Sequence, residues 1–549
     1  MSQQQPYLGI TKPLSLSVPT IQELELTKDL QKTLEKFGMY DSKEKTAQRE
    51  AALKHLGELT RELVQSICKK RNIPKEIADA AGGAIFTFGS YRLGVNSAEQ
   101  IFSKYGSNTK KVPCISEITS VPDSFVPVIK FKYNDIPIDF VCARVSLPQV
   151  TESTNLKDAS ILRGLDDRCI RSINGTRVAD EIIRLVPDIE TFRIALRCIK
   201  LWAMRKAVYS NVLGFFGGVA WAILVARVCQ LYPNACASVI VSKFFSLWKS
   251  WKWPLPVTLK PIEDGPPLNP SLRPWSPSLN INRTHRMPII TPCYPSMCTT
   301  HNVTASTQRI ILGEFNIASQ ITEKIMQGTL PWASLFQSHD FFRNYKYYLQ
   351  VIVSSDHPER QLKWSGLVEA KLRHLVTKLE LVPALALVHP YVEGFKYEFT
   401  CENSEDVYAA THGQIIPSRR NSSRKTMKIY TKVFYLGLYI RIKSGESRTL
   451  DLTAPIYEFM NMVKSWSEFN SKHMGIAVEN VRHTNLPEEV LPKREIKMSK
   501  RALSKSPSPT LQPTMVNSSV IVNKKVKTNT DNTIPPPTDT DVKTASVAV

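Results

Sequence analysis

Four short stretches hold residue types suited to a phosphorylated substrate. Gly89-Ser90 follows the apolar run Ala84 to Phe88 and precedes Tyr91-Arg92-Leu93-Gly94; a glycine lets phosphate approach the backbone and the serine adds a hydroxyl donor. In Ile136-Pro137-Ile138-Asp139-Phe140, strand alternation sets Ile136, Ile138 and Phe140 on one face and the Asp139 carboxylate on the other, toward a cleft. Thr191 to Tyr209 carries an apolar stripe of Phe192, Leu196, Ile199 and Ala203 beside a basic one of Arg193, Arg197 and Lys200, able to grip phosphates. Gly217-Gly218-Val219 opens an apolar helix whose first N–H groups can meet an anion or a base edge. Each stretch has an ordinary alternative: a turn, a solvent-facing edge residue, a solvated helix face, close helix packing.

The elements that must position them follow from periodicity. Glu23 to Lys36 and Ser42 to Lys69 read as helices, the second with Leu53, Leu56, Leu59 and Leu63 at three- and four-residue spacing. Ala84 to Phe88 reads as a strand, and Val126 to Phe131 with Ile136 to Cys142 as a hairpin joined by Lys132-Tyr133-Asn134-Asp135. Asp180 to Tyr232 is helical; its stretch Phe215 to Leu231 contains Arg227 and falls short of the about 18 to 20 apolar residues of a spanning helix, so it reads as a buried core helix. Gln308 to Gln327 is helical again. Lys346 to Val353 and Lys428 to Lys443 read as strands, Ser365 to Leu379 and Pro455 to Phe469 as helices, an order that suggests a separate α/β sandwich.

Composition bounds the partners. The 549 residues are 42% hydrophobic and 22% charged, which excludes wholesale disorder and a disulfide-dense mini-protein. Lys and Arg number 71 against 49 Asp and Glu, a net charge of +22 that favours a polyanion such as nucleic acid. Beyond Pro492 the 57 remaining residues contain no Phe, Trp or Tyr and carry Lys493, Arg494, Lys497, Lys500, Arg501 and Lys505, so this tail is expected to be disordered. It holds ten basic and four acidic residues, which leaves +16 on the rest. The ten cysteines, scattered through apolar stretches, are expected to be reduced. No signal peptide or membrane span is expected.

Taken together, Phe88-Gly89-Ser90-Tyr91-Arg92-Leu93-Gly94-Val95, Val121-Pro122-Asp123-Ser124-Phe125-Val126-Pro127, Asn174-Gly175-Thr176-Arg177-Val178, Ile194 to Trp202, Arg286-Met287-Pro288-Ile289-Ile290-Thr291-Pro292 and Trp364-Ser365-Gly366-Leu367-Val368-Glu369 closely resemble eukaryotic nuclear poly(A) polymerase, from about Gly9 to about Leu491. The resemblance implies an α+β multidomain enzyme. Its N-terminal helices (1–54) join the central domain, followed by a nucleotidyltransferase domain with a mixed sheet (55–185), a helical central domain (186–338), an RNA-recognition-like α/β sandwich (339–490) and the basic tail (491–549). It implies template-independent transfer of AMP from ATP to the 3′-hydroxyl of RNA in pre-mRNA 3′-end polyadenylation, with Mg²⁺ or Mn²⁺, in the nucleus, by a monomer working with the cleavage and polyadenylation machinery. Carried over, Phe88, Gly89 and Ser90 hold the triphosphate with Lys200 and Tyr209, Asn211, Gly218 and Val219 line the adenine pocket, and Asn174 lies near the nucleotide. Asp139 is the catalytic, metal-binding carboxylate, and Lys130 contacts RNA or the incoming phosphates. Arg419, Arg420, Arg424 and Lys425, with Lys428 and Lys432, form a cluster expected on RNA phosphates.

The chain departs from the family after Val95, where the family continues into a Gly-rich turn and an Asp-x-Asp pair that binds two metals with the aspartate matched by Asp139. Here the sequence reads Asn96-Ser97-Ala98-Glu99-Gln100, with no Asp between Val95 and Val121. About sixteen residues are absent, among them a central strand of the sheet, and one carboxylate cannot do the bridging work of three. A misjoined gene model or skipped exon, an inactive spliced isoform and a pseudoenzyme that keeps RNA or factor binding are the open explanations; the otherwise intact pocket favours the first. Phe216 also stands where the family commonly has Pro.

Overall fold

The computed structural model describes residues 7–96, 114–121, 126–265, 272–412, 427–441, 449–491 and 546–548. The chain divides into two compact units, one built mainly from residues up to 337 and one mainly from 338 onward.

Local chemistry sets the helix starts of the first unit. Helix α1 (Ile21–Lys36) opens on a capping box in which the Thr20 hydroxyl receives the Glu23 N–H while the Glu23 carboxylate receives the Thr20 N–H. Helix α2 (Lys43–Lys70) is capped by Ser42, and α3 (Lys75–Ala81) follows. After the short α4 (Gly89–Arg92) come strands β1 (Ile115–Val121), β2 (Val128–Tyr133) and β3 (Ile136–Phe140), an antiparallel sheet in that order. The β2–β3 connection is only Asn134-Asp135, both at positive φ (45° and 64°), the two-residue turn that asparagine and aspartate tolerate. Phe131 and Tyr133 pack this sheet onto Ala52 and Leu56 of α2, with Ile138 and Phe140 beside them. Leu59 and Leu63, farther along the same helix stripe, remain exposed at 36% and 54%.

The strand expected over residues 84–88 is not one: Phe88 is extended, but the segment lies in no ladder. A strand exists only where a neighbour supplies its hydrogen bonds, and the described three-stranded sheet ends at β1 and β3 without reaching it.

The helical part of the unit comprises α5 (Asp167–Arg184), α6 (Ile189–Arg205), α7 (Gly218–Leu231), α8 (Ala237–Ser250), the short α9 (Asn280–Arg283) and α10 (Ala305–Met326). Helix α7 is buried on every side from Ala220 to Leu231, as its unbroken apolar composition demands. Arg227 within it donates to Thr11 and Gln230. The core is aromatic: the Trp202 ring meets Trp221, Phe245 and Phe315 at centroid distances of 5.8, 4.7 and 5.8 Å.

The second unit contains α11 (Phe341–Asn344), β4 (Tyr347–Ser355), α12 (Pro358–Leu379), β5 (Leu385–Pro390), β6 (Phe395–Cys401), α13 (Ser404–Thr411), β7 (Met427–Ile440), β8 (Thr449–Asp451), α14 (Thr453–Lys464) and β9 (Met474–Arg482). Its antiparallel sheet runs β5-β7-β4-β9, with β6 also on β7, and α12 packs against it and against α14. With the helices after β4 and before β9, this is the βαββαβ arrangement of an RNA-recognition-like sandwich. β4 is buried along its whole length, so both faces of the sheet are covered. In the tail, β10 (Ser546–Ala548) pairs antiparallel with β8.

Candidate nucleotide-binding site

Gly89 has φ of 60°, a conformation that favours glycine, and the outer side where a Cβ would stand is open space. The turn it starts closes by N–H donation from Leu93 to Gly89 O and from Val95 to Ser90 O. On its inner side the turn is fastened to α5: Thr176 Oγ1 donates to Thr87 O at 3.0 Å, the Phe88 ring lies over Gly175, and Arg92 makes a two-pronged contact with Asp180 at 2.6 and 3.0 Å. Asn174 is buried, its Oδ1 receiving Arg177 Nη1 at 2.8 Å. Arg177, which sequence reasoning did not single out, is 4% exposed and also donates to the carbonyls of Leu156 and Tyr294. The i, i+3 spacing of Asn174 and Arg177 on a helix was the available signal.

Lys200 stands at the other end of the same turn. Its Nζ donates to Val95 O at 3.3 Å, and among the described residues it makes no ion pair. Burial, with Arg197 and Arg49 nearby, lowers its pKa to about 8. The expectation that the α6 basic stripe faces phosphate thus gains a refinement: all three of its cations are engaged by backbone carbonyls of residues 93–95.

Tyr209 pairs in a bridge with Phe216, and a Cβ at Gly218 would come 2.6 Å from the Tyr209 hydroxyl, so only glycine allows this approach. Burial pushes the Tyr209 phenol up to about 12, keeping it a neutral donor. Asn211 lies against Gly217, and Asn302 Nδ2 donates to its backbone and side-chain oxygens at 3.1 and 3.3 Å. Gly218 and Val219 are exposed at the start of α7, with their N–H groups unused by the helix. Helix α4 packs against both α5 and α7. The unit therefore brings Phe88, Gly89, Ser90, Asn174 and Lys200 around one turn and Tyr209, Asn211, Gly218 and Val219 around one helix start.

Three family models match in succession: the poly(A) polymerase nucleotidyltransferase domain over residues 9–186, the poly(A) polymerase central domain over 191–338 and the poly(A) polymerase predicted RNA binding domain over 340–500. The chain is 41% identical over 529 residues to "Poly(A) polymerase pla1" of Schizosaccharomyces pombe, covering 88% of this chain and 93% of that protein. The chain belongs to the poly(A) polymerases. A second relative, "Poly(A) polymerase PAPa" of Candida albicans, is 41% identical over 538 residues, covering 91% of this chain and 96% of its own. As a poly(A) polymerase the chain is a polynucleotide adenylyltransferase.

The carboxylate expected to bind metal is exposed on the outer face of the sheet. Asp139 stands opposite Lys130 in register, and the two side chains pair at 3.8 Å. Glu117 of β1 is likewise taken by Lys132 at 2.6 Å. Among the described residues no three carboxylate, histidine or cysteine side chains converge. Asp139 with a lysine beside it does not fit a two-cation centre, and the sequence of 96–113 offers only Glu99 in addition. Asp139 and Lys130 are brought to each other.

In the second unit the sheet face opposite the helices is closed. Tyr348, Ile352, Val433 and Tyr435 lie under Phe341, Phe342, Leu486 and Val490, so these aromatic rings cannot stack on bases as in open sheet-based RNA readers. Arg419, Arg420, Arg424 and Lys425 lie outside the described residues. Lys428 and Lys432 are already paired, with Glu398 at 2.6 Å and Glu369 at 2.7 Å, because their positions on β7 place them beside β6 and α12.

Proposed function

We propose that ATP binds across the two clusters of the first unit, triphosphate on the Gly89-Ser90 turn and adenine at the start of α7. The observation that carries this reading is Lys200: an ammonium 8% exposed, without an ion pair among the described residues, bonded only to one carbonyl. A buried cation in that condition gains much from an anion. The Ser90 hydroxyl and the Tyr209 phenol are neutral donors for phosphate oxygens, and Asn211 with the Gly218 and Val219 N–H groups offers the donors and acceptors that an adenine edge requires. Phe88 over Gly175 and Thr176 on Thr87 O hold the turn against α5, and Asn174 is the residue the resemblance sets near the nucleotide. Lys130, exposed on β2 and paired with Asp139, is the residue the resemblance assigns to RNA or the incoming phosphates. The reaction this site serves is transfer of AMP to the RNA 3′-hydroxyl in pre-mRNA 3′-end formation, which in this chain awaits the carboxylates absent after Val95. Mg²⁺ or Mn²⁺ is the ion implied by resemblance, and no step runs through it, because Asp139 lacks companion carboxylates among the described residues.

Equilibrium binding tests the site. Lys200→Met is expected to weaken ATP roughly tenfold or more, the loss of one charge-assisted hydrogen bond, while Asn211→Ala reduces the preference for ATP over GTP; unchanged affinity and unchanged preference in both would place the nucleotide elsewhere. The proposal extends to nuclear action by the monomer with the cleavage machinery, with Lys493-Arg494 and Lys500-Arg501 as a basic import signal. A reporter fused to residues 490–510 that stays cytosolic removes that part.

A further inference from the structure

The basic stripe of α6 spends its charges in an unexpected way. Arg193 Nε donates to Leu93 O at 3.1 Å, Arg197 Nη2 to Gly94 O, and Lys200 Nζ to Val95 O at 3.3 Å. Three consecutive carbonyls at the exit of the turn formed by residues 89–95 are each held by one cation, at spacings of four and three along the helix. Carbonyls at the end of such a turn have no partner within it and carry partial negative charge. Behind the stripe lies the connection between α1 and α2. The Arg197 guanidinium sits 4.4 Å from the Tyr40 ring centroid. The next residue, Asp41, is 4% exposed at its side chain and receives both Arg49 Nε, at 2.9 Å, and the Asn96 amide. The turn's exit is thus gripped from two sides, by α6 through its backbone and by Asp41 through Asn96.

We infer that Arg193 and Arg197, backed by Tyr40 and Asp41, are positioning residues that hold the 89–95 turn in its triphosphate-binding shape while Lys200 exchanges the Val95 carbonyl for a phosphate oxygen. This rests on the reading that Gly89 and Ser90 receive the triphosphate. The division of labour follows from the bonds. Lys200 holds its carbonyl by a single long hydrogen bond, and phosphate offers a charge-assisted one. Once Lys200 leaves, the two guanidiniums on the neighbouring carbonyls, with Asn96 on Asp41, still hold the exit of the turn.

The same groups set the charge of Lys200. Burial lowers its pKa first, then Arg197 on its own helix and Arg49 from α2, while Asp41 from the α1–α2 connection raises it. With the value brought to about 8, the ammonium is present at neutral pH and is lost as pH rises, so ATP affinity falls on the alkaline side. Removing the Arg197 charge moves that fall to higher pH. Removing the Asp41 charge moves it to lower pH.

The test is equilibrium ATP binding by the full chain in EDTA, from neutral to alkaline pH, with Ser90→Ala, Arg193→Gln, Arg197→Gln, Arg197→Lys and Asp41→Asn, each checked for its unfolding midpoint. Arg197→Gln is expected to weaken ATP roughly tenfold at neutral pH and to shift the alkaline fall upward, Arg197→Lys to recover part of the affinity, and Asp41→Asn to shift the fall downward. Arg193→Gln weakens ATP without an upward shift as large, and serves if Arg197→Gln does not fold. If Ser90→Ala weakens ATP while both arginine variants bind as the parent, the positioning role is wrong and the site stands. Loss of affinity with an unmoved pH profile in both Arg197→Gln and Asp41→Asn reduces these residues to general stability and also overturns the inference. If Ser90→Ala itself has no effect, the underlying reading has failed.

Discussion

Arg177→Met should destabilise the first unit by about 3–5 kcal/mol, since three buried oxygens are left unsatisfied at about 1–3 kcal/mol each. The guanidinium is 4% exposed and makes no ion pair among the described residues; its compensation comes from oxygens. It donates to Leu156 O and Asn174 Oδ1, both at 2.8 Å, to Tyr294 O, and more weakly to Lys157 O at 3.4 Å. Three good bonds at about 1.5–3 kcal/mol each set the gross loss, and methionine offsets part of it because no charge then has to be buried, which burial already disfavours in Arg177. The remainder is a large share of the roughly 5–15 kcal/mol by which domains are stable. Urea unfolding followed by fluorescence of the buried Trp202 and Trp221 measures it. Arg177→Lys should be nearly as damaging, since an ammonium cannot span three separated acceptors. A cost below about 1 kcal/mol for the methionine variant, the range of an ordinary surface change, would refute the argument that these oxygens depend on Arg177.

Three further outcomes are expected. Glu181 receives Arg184 at 2.7 and 2.8 Å and Lys260 at 2.9 Å, bonds that hold its carboxyl down to about 2 despite partial burial; its stabilising share is complete above the ordinary carboxylate range and vanishes as pH falls toward 2, so the stability gap between the parent and Glu181→Gln, measured by unfolding across acid pH, must close over that window. RNA adenylylation by the 549-residue chain should be negligible, and insertion after Val95 of the about sixteen residues carrying Asp-x-Asp should create it, with Asp139→Ala abolishing it again, because one carboxylate cannot assemble the centre; robust primer extension by the unmodified chain in a gel assay contradicts the reading of Asp139 as an incomplete site. Replacing Arg419, Arg420, Arg424 and Lys425 by alanine should flatten the dependence of log affinity for single-stranded RNA on log salt by about 0.7 for each phosphate no longer neutralised, and an unchanged slope returns the cluster to a solvated loop.

What the sequence determined by itself was local. Hydrophobic periodicity located α1, α2, α7, β4 and β7 within a few residues and the C-terminal end of α12, which starts at Pro358 rather than at the expected Ser365, since 3.6- and 2-residue repeats survive in any context that buries one face. Gly89-Ser90 and Gly217-Gly218 were candidates because their residue types carry backbone freedom, whereas Phe88, Asn174, Tyr209 and Asn211 entered only through the family resemblance. Three matters were decided only by the tertiary structure. Residues 84–88 have a strand's composition but no ladder beside them, and a strand is a property of two segments rather than one. The basic stripe of α6 read as a phosphate grip, yet Arg193 and Arg197 hold the carbonyls of Leu93 and Gly94, partners about a hundred residues away in the chain that spacing along one helix cannot reveal. Strand alternation separated Asp139 from Ile138 and Phe140 but was read as turning it toward a cleft; it is instead solvent-exposed on an edge strand beside Lys130, a neighbour set by the register of β2 against β3, which the turn at Asn134-Asp135 and the packing of Phe131 and Tyr133 on α2 fix.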